Sequence, residues 1–175
     1  MTKTKQAIFL ELYEPIHDRF ERFCRARVYG NMEFRDLMND TLLVAFEKFD
    51  TLKSTDAFLS FLFGISVRVL ANYNQKKRED RFEKTTETFL IQDENANTQQ
   101  DADVHFLYQA LATLTDDQRE SILLFEISGF SIKEISQLQN ASESAVKQRL
   151  KRGREKLTEI LTFESTLKTG EMHHG

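Results

Sequence analysis

Proline and cysteine each occur once in 175 residues, glycine six times, and tryptophan is absent. So little turn chemistry argues against a β-sandwich or barrel, whose many chain reversals need Gly and Pro. The lone Cys24 cannot close an internal disulfide and no spaced Cys/His set suggests zinc, so a reducing cytoplasm suits the chain. The N-terminus turns charged too soon for a signal peptide. No uninterrupted apolar run approaches the roughly twenty residues that span a bilayer, so a soluble chain without direct membrane insertion is expected. Equally missing are a Gly-rich phosphate loop, a nucleophile-and-base set and clustered histidines, since His173 and His174 lie in a polar tail. No catalytic residue, metal site, cofactor or small-molecule substrate is therefore expected, and the chain does not read as an enzyme.

What is present is helical. Hydrophobic residues make up 40 % of the chain and fifteen are Phe, enough for real cores. The formal net charge of -4 speaks against nucleic acid only until the charge is located, because a phosphate backbone feels the local distribution. Residues 68–84 hold six basic and three acidic side chains, and residues 142–161 repeat that balance. Between them residues 85–104 hold five acids and no base, with much Gln, Asn and Thr. That segment would bury too little to offset the entropy of ordering it and reads as a linker. The length then divides into two small helical modules.

In the first module Phe9, Leu12, Tyr13, Ile16, Phe20, Phe23 and Cys24 recur at helical spacing, so a helix is expected over residues 5–28, kinked or split at Pro15. Gly30 and Asn31 supply a stop. Met38, Leu42, Ala45, Phe46 and Phe49 mark a second helix over 34–49, with DTLKSTD as its exit loop. A third, over 55–78, has two apolar sides: Phe58, Leu62, Ile65, Val69 and Tyr73 on one, Leu59, Phe63, Val67 and Leu70 on the other. It must be central to the module. The remaining arc carries Phe61, Gly64, Arg68, Asn72 and Gln75 and leads into Lys76, Lys77 and Arg78.

The second module opens with a short helix marked by Phe106, Leu107, Ala110, Leu111 and Leu114. TDDQ then offers a capping box with Thr115 as N-cap and Gln118 reaching back, and the helix it starts ends at Gly129. SIKE offers a second box, from Ser131 to Glu134, opening a helix of about two turns. A turn at residues 139–141 leads to Ser142 as a third N-cap and to the helix SESAVKQRLKRGREKL. Short helix, tight turn, longer helix is the helix-turn-helix pattern. Projected at 100° per residue, Val146, Leu150, Gly153, Leu157 and Leu161 form the packing stripe. Lys147, Gln148, Lys151 and Arg152 then face outward, where such a helix reads base edges, with Arg149 and Arg154 on phosphates. A basic helix face alone is most often a solvated surface. Its coincidence with the capped short helix and turn favours DNA.

These residues together resemble the extracytoplasmic-function (ECF) sigma factors, the smallest members of the sigma-70 family of bacterial transcription initiation factors. LTDDQRESILLFEISGFSIKEISQLQNASESAVKQRLKRGREKL is similar to the family's domain that reads the minus-thirty-five element. DLMNDTLLVAFEKFDTLK resembles its polymerase-binding helix and exit loop, and AFLSFLFGISVRVLANYNQKKR the helix that melts and reads the minus-ten element. The family usually has Trp where Phe61 stands, Asn where Arg68 stands, a Gly-Thr pair where Ser144 and Ala145 stand, and Pro where Thr115 stands.

The resemblance implies an all-α chain of two small helical domains joined by an acidic linker. Residues 1–84 would bind core polymerase and recognise and melt the minus-ten element, 85–104 would be the linker, 105–163 the helix-turn-helix domain, and 164–175 a polar tail. Asp36, Asn39 and Asp40 match positions that meet the polymerase. Phe61, Arg68 and Asn72 match positions at the melted strand, where an aromatic face can stack on an unpaired base. Lys76, Lys77 and Arg78 are placed to hold phosphates. The implied partners are core RNA polymerase, promoter DNA and an anti-sigma factor. From the residues alone, a stand-alone helix-turn-helix regulator that dimerises through its N-terminal helices stays open, as does a purely structural helical protein.

Overall fold

The computed structural model describes residues 2–83 and 99–171, and among them every regular element is helical. They fall into two compact units that divide at residues 91 and 92.

In the N-terminal unit, α1 (Lys5–Tyr13) is capped by the Thr4 hydroxyl, which accepts the Ala7 amide. Pro15 lacks an amide hydrogen, and the chain breaks there into a 3-10 turn, Glu14–Ile16, before α2 (His17–Val28). Gly30 takes φ +73°, a left-handed value that ends the helix at little cost. Next come α3 (Phe34–Glu47), 3-10 turns at Phe49–Thr51 and Thr55–Ala57, and α4 (Phe58–Glu83). The exit loop is thus two 3-10 turns, and α4 starts three residues later and runs five residues further than its apolar pattern predicted.

The core of this unit is a cluster of phenylalanine rings. Phe9 of α1 meets Phe46 and Phe58 edge to face with ring centres 5.4 Å apart, and Phe49 at 5.3 Å. Phe63 of α4 lies 5.4 Å from Phe20 and 4.9 Å from Phe23 of α2. Such ring pairs add to the burial energy of each ring. Both expected apolar sides of α4 contribute, through Phe58, Leu62 and Ile65 and through Phe63 and Leu70. With its 3-10 lead-in, residues Thr55–Arg81, α4 is long and apolar enough to cross a membrane by length and composition. That differs from the expectation based on uninterrupted runs, because scattered Ser, Gly and Asn do not lower the average far. Phe58, Leu62, Phe63, Ile65 and Leu70 of this helix are buried within the unit, Phe58 against Phe9 of α1 and Phe63 against Phe20 and Phe23 of α2.

The C-terminal unit starts with α5 (Gln99–Ala112), so residues 99–104 of the expected linker are helical. The apolar pattern from Val104 onward forms the helix, and elongation into the polar residues before it is cheap once a turn exists. Residues 85–98 lie outside the described residues. Arg119, 7 % exposed, caps the end of α5 by donating from Nε to the Leu111 carbonyl at 3.0 Å and from Nη2 to that of Ala112 at 3.1 Å. α6 (Asp116–Ile122) passes into a π turn, Leu123–Ile127, and stops at Gly129, φ +74°. α7 (Ile132–Leu138) and α8 (Glu143–Glu171) follow. Its core is aliphatic: Leu111, Leu114, Leu123, Leu124, Ile135, Val146 and Leu150 are all buried.

Only half of the expected box at Thr115 forms. Its hydroxyl accepts the Gln118 amide at 3.3 Å, and the reciprocal bond from the Gln118 side chain is not made. The Ser131 box is complete, with Glu134 accepting the Ser131 amide at 2.8 Å. Those bonds hold the Glu134 carboxyl below its ordinary pKa. The polar tail expected from residue 164 is helical through Glu171, because nothing there breaks a helix already propagating. His173 and His174 lie outside the described residues.

Candidate nucleic-acid interface

The turn between α7 and α8 is made by Asn140, which takes φ +49°, a value that Asn tolerates better than most residues. The Ala141 amide donates back to the Ser136 carbonyl at 2.9 Å. The Ser142 hydroxyl then accepts the Ala145 amide at 3.1 Å, capping α8 where the sequence placed the cap. α8 packs by Val146, Leu150 and Gly153, all buried, and by the half-buried Leu157; Leu161, expected on the same stripe, is exposed. At Gly153 an added Cβ would come within 2.6 Å of Ile122 Cδ1, so glycine permits the close approach of α6 and α8.

This packing turns Ser144, Lys147, Gln148, Lys151 and Arg152 to solvent. Lys151 has one weak neighbour, Glu155, at 4.0 Å. Among the described side chains, the other cations of α8 are engaged within the unit. Arg149 reaches Gln139 at 2.8 Å and Asp117 at 3.1 Å. Arg154 donates from Nε and Nη2 to Glu126 at 2.8 and 2.6 Å, with its guanidinium 5.3 Å from the Phe125 ring centre. Lys156 donates to the Thr113 carbonyl at 2.7 Å. Of the six expected DNA contacts on α8, four share one outward face and two, Arg149 and Arg154, turn toward their own unit.

On α4, Arg68, Asn72, Lys76 and Arg78 are exposed and Phe61 is half-buried, its ring centre 6.5 Å from that of Phe58. The Phe61 ring is thus a neighbour of the buried Phe58 ring and remains partly open to solvent. Lys77 departs from the expected phosphate set: it is half-buried, and its ammonium donates to Asn31 Oδ1 at 2.6 Å. On α3, Asp36, Asn39 and Asp40 are all exposed. Leu43, one turn further along, is 61 % exposed and extends that face with an apolar contact. Its spacing from Asn39 and Asp40 was the available signal, and the apolar pattern of the helix had passed over it.

The description "Sigma-70, region 4" fits residues 107–157, which run from α5 into α8 and contain α6, α7, the turn and the first half of α8. The ECF RNA polymerase sigma factor EcfG of Rhodopseudomonas palustris (strain TIE-1) is 28 % identical over 130 residues, 72 % of this chain and 70 % of that protein. SigX of Bacillus subtilis (strain 168), also an ECF RNA polymerase sigma factor, is 28 % identical over 155 residues, 83 % of this chain and 79 % of its own. This chain is similar to ECF sigma factors along most of its length. The fold agrees. The sigma factor RpoE of Bartonella quintana, solved with the anti-sigma factor NepR, superposes with a TM-score of 0.71 at 24 % identity, over 87 % of this chain and 98 % of that one. CnrH, solved with the cytosolic domain of CnrY, gives 0.63 at 23 % identity, over 90 % of this chain and 89 % of its own. These likenesses support a sigma factor's function, directing DNA-templated transcription initiation, and nothing in them favours the stand-alone regulator.

Proposed function

We propose that this sigma factor binds core RNA polymerase in the bacterial cytoplasm and, within that assembly, recognises a two-part promoter and opens it. The reaction chemistry belongs to the polymerase, and the sigma factor needs neither catalytic residue nor cofactor. The observation that carries the reading is the single outward face of Lys147, Gln148, Lys151 and Arg152 on a helix capped by Ser142 behind a tight turn. A Lys or Arg can address a guanine edge with paired hydrogen bonds and a Gln an adenine, so this face suits upstream-element reading.

The downstream element falls to the exposed arc of α4. Phe61 would stack on an unpaired base, Arg68 and Asn72 line the same strand, and Lys76 and Arg78 hold its phosphates. Asp36, Asn39 and Asp40, extended by Leu43, form the polymerase-binding face, where acids would pair with basic side chains. Residues 1–84 and 105–163 then serve as the two functional domains. Like RpoE and CnrH, which were solved with NepR and CnrY, the free sigma factor would be held by an anti-sigma partner.

The test is run-off transcription from a genomic fragment library with purified core polymerase. Specific transcripts are expected only when the sigma factor is added, and a yield no greater than that of core alone would overturn the reading.

A further inference from the structure

Gln139 stands at the meeting of three helices. It follows the last residue of α7, and its side-chain oxygen accepts from the Ser121 hydroxyl of α6 at 3.0 Å and from Arg149 Nη1 of α8 at 2.8 Å. Its amide nitrogen donates to Glu120 Oε1 at 3.0 Å. The second arm of the same guanidinium, Nη2, reaches Asp117 Oδ2 at 3.1 Å. One planar fork therefore spans two acceptors, one on α6 and one at the turn.

Beside this point α8 packs by the apolar Val146 and Leu150, and its other polar ties, from Arg154 and Lys156, lie further along the helix. Apolar contact is non-directional, so by itself it leaves the helix some freedom to roll about its axis. A roll of about 20° would carry a side-chain tip about 6 Å from the axis through about 2 Å, enough to break a base-edge hydrogen bond. A two-armed guanidinium bridge removes that freedom, because both of its bonds lose alignment together. Arg149 is also poorly placed to neutralise a phosphate. Its charge is already met by Asp117, whose carboxylate would repel one.

We propose that Arg149 and Gln139 are positioning residues that set the roll of α8, and thereby which base pairs Lys147, Gln148, Lys151 and Arg152 can reach. Neither one touches DNA. The proposal rests on the reading that this outward face recognises the upstream element.

The experiment uses holoenzyme reconstituted from core polymerase and the full chain. Its probes are one promoter fragment recovered from the genomic library and the same fragment with the upstream element scrambled. The readouts are the affinity ratio between the two and the slope of affinity against salt. Arg149→Lys keeps the charge but cannot bridge both acceptors, and Gln139→Leu removes no charge at all. Each is expected to cut the ratio about tenfold while leaving the salt slope unchanged. Asp117→Asn should also lower the ratio, whereas if Arg149 held a phosphate it would tighten binding to both fragments alike.

The proposal is overturned if Arg149→Lys discriminates like wild type while Asp117→Asn tightens both, or if the variants weaken both fragments equally, as a merely structural role would. Should Gln139→Leu fail to fold, Arg149→Lys decides alone. Lys151→Ala with Arg152→Ala separates the two ideas. If that pair also leaves the ratio intact, base reading by this face fails and takes the positioning proposal with it. If that pair alone collapses the ratio, only the positioning proposal fails.

Discussion

The two units are held together by different physics. The N-terminal unit buries Phe9, Phe20, Phe23, Phe58 and Phe63, five rings meeting mostly edge to face. In the C-terminal unit Phe130 is the buried ring among the described residues, and the core there is Leu, Ile and Val. Beside that core the unit has directional bonds between its helices and at their ends: a complete capping box at Ser131, an arginine cap on α5, and the bridge from Arg149 to Gln139 and Asp117. A ring cluster supplies much burial energy with modest angular demand. A polar bridge supplies little net energy but fixes orientation. The unit proposed to read base edges on duplex carries the orienting bonds, and the unit proposed to grip a flexible melted strand carries the rings.

The contrast can be broken first at Phe63, which is fully buried between Phe20 and Phe23. Phe63→Ala should cost about 3–5 kcal/mol and open the N-terminal unit. Hydrogen exchange read by mass spectrometry should lose protection in peptides of α2 and α4 and keep it in α6 and α8. Equal loss in both units would mean that the ring cluster also sustains the C-terminal core.

A smaller effect is expected at Ser131, whose hydroxyl and amide both meet Glu134. Ser131→Ala should cost about 1 kcal/mol, visible as a lowered denaturation midpoint with α7 the first element to lose protection.

A third effect lies in pH, and it runs in opposite directions in the two units. Burial, with Cys24 and Glu21 adding to it, pushes the Tyr13 hydroxyl up from 10.0 to about 12. The folded N-terminal unit therefore keeps a proton that the unfolded chain releases. The contribution of Tyr13 should be full below pH 10 and be lost as pH rises from there toward 12, on top of the fall that the buried Cys24 thiol, also pushed up by burial, brings from lower pH. Tyr13→Phe should flatten part of that slope. Glu134 has its carboxyl held low by the Ser131 amide first and the hydroxyl second. The C-terminal unit should keep that contribution above the ordinary carboxylate range and lose it as pH falls through the folded-state value. Thermal melts across both limits, with unit-specific exchange, check both signs.

Much of the architecture was legible residue by residue. The break at Pro15, the stop at Gly30, the box at Ser131 and the cap at Ser142 each depend on backbone chemistry within a few residues, and each stands where its residue type demands. Helix ends judged by burial fared worse. α5 begins at Gln99 and α8 continues to Glu171, because a helix already formed extends through polar residues that have nothing to bury. The exposed Leu43 was passed over because it lies off the apolar stripe of its helix, and a single apolar residue off the stripe carries no signal of its own until the partner helices are in place.

The sequence by itself determined that the chain is helical, that it holds two basic segments around an acidic one, and that a capped basic helix follows a tight turn. It could not sort the cations of that helix. Lys147, Lys151 and Arg152 face solvent, whereas Arg149 meets Gln139 and Asp117, and Arg154 meets Glu126. Those partners lie 10 to 32 residues away along the chain, brought close by the packing of α6 and α7 on α8. Helical periodicity tells which side a residue is on. Only tertiary packing decides whether another chain segment arrives there to claim its charge.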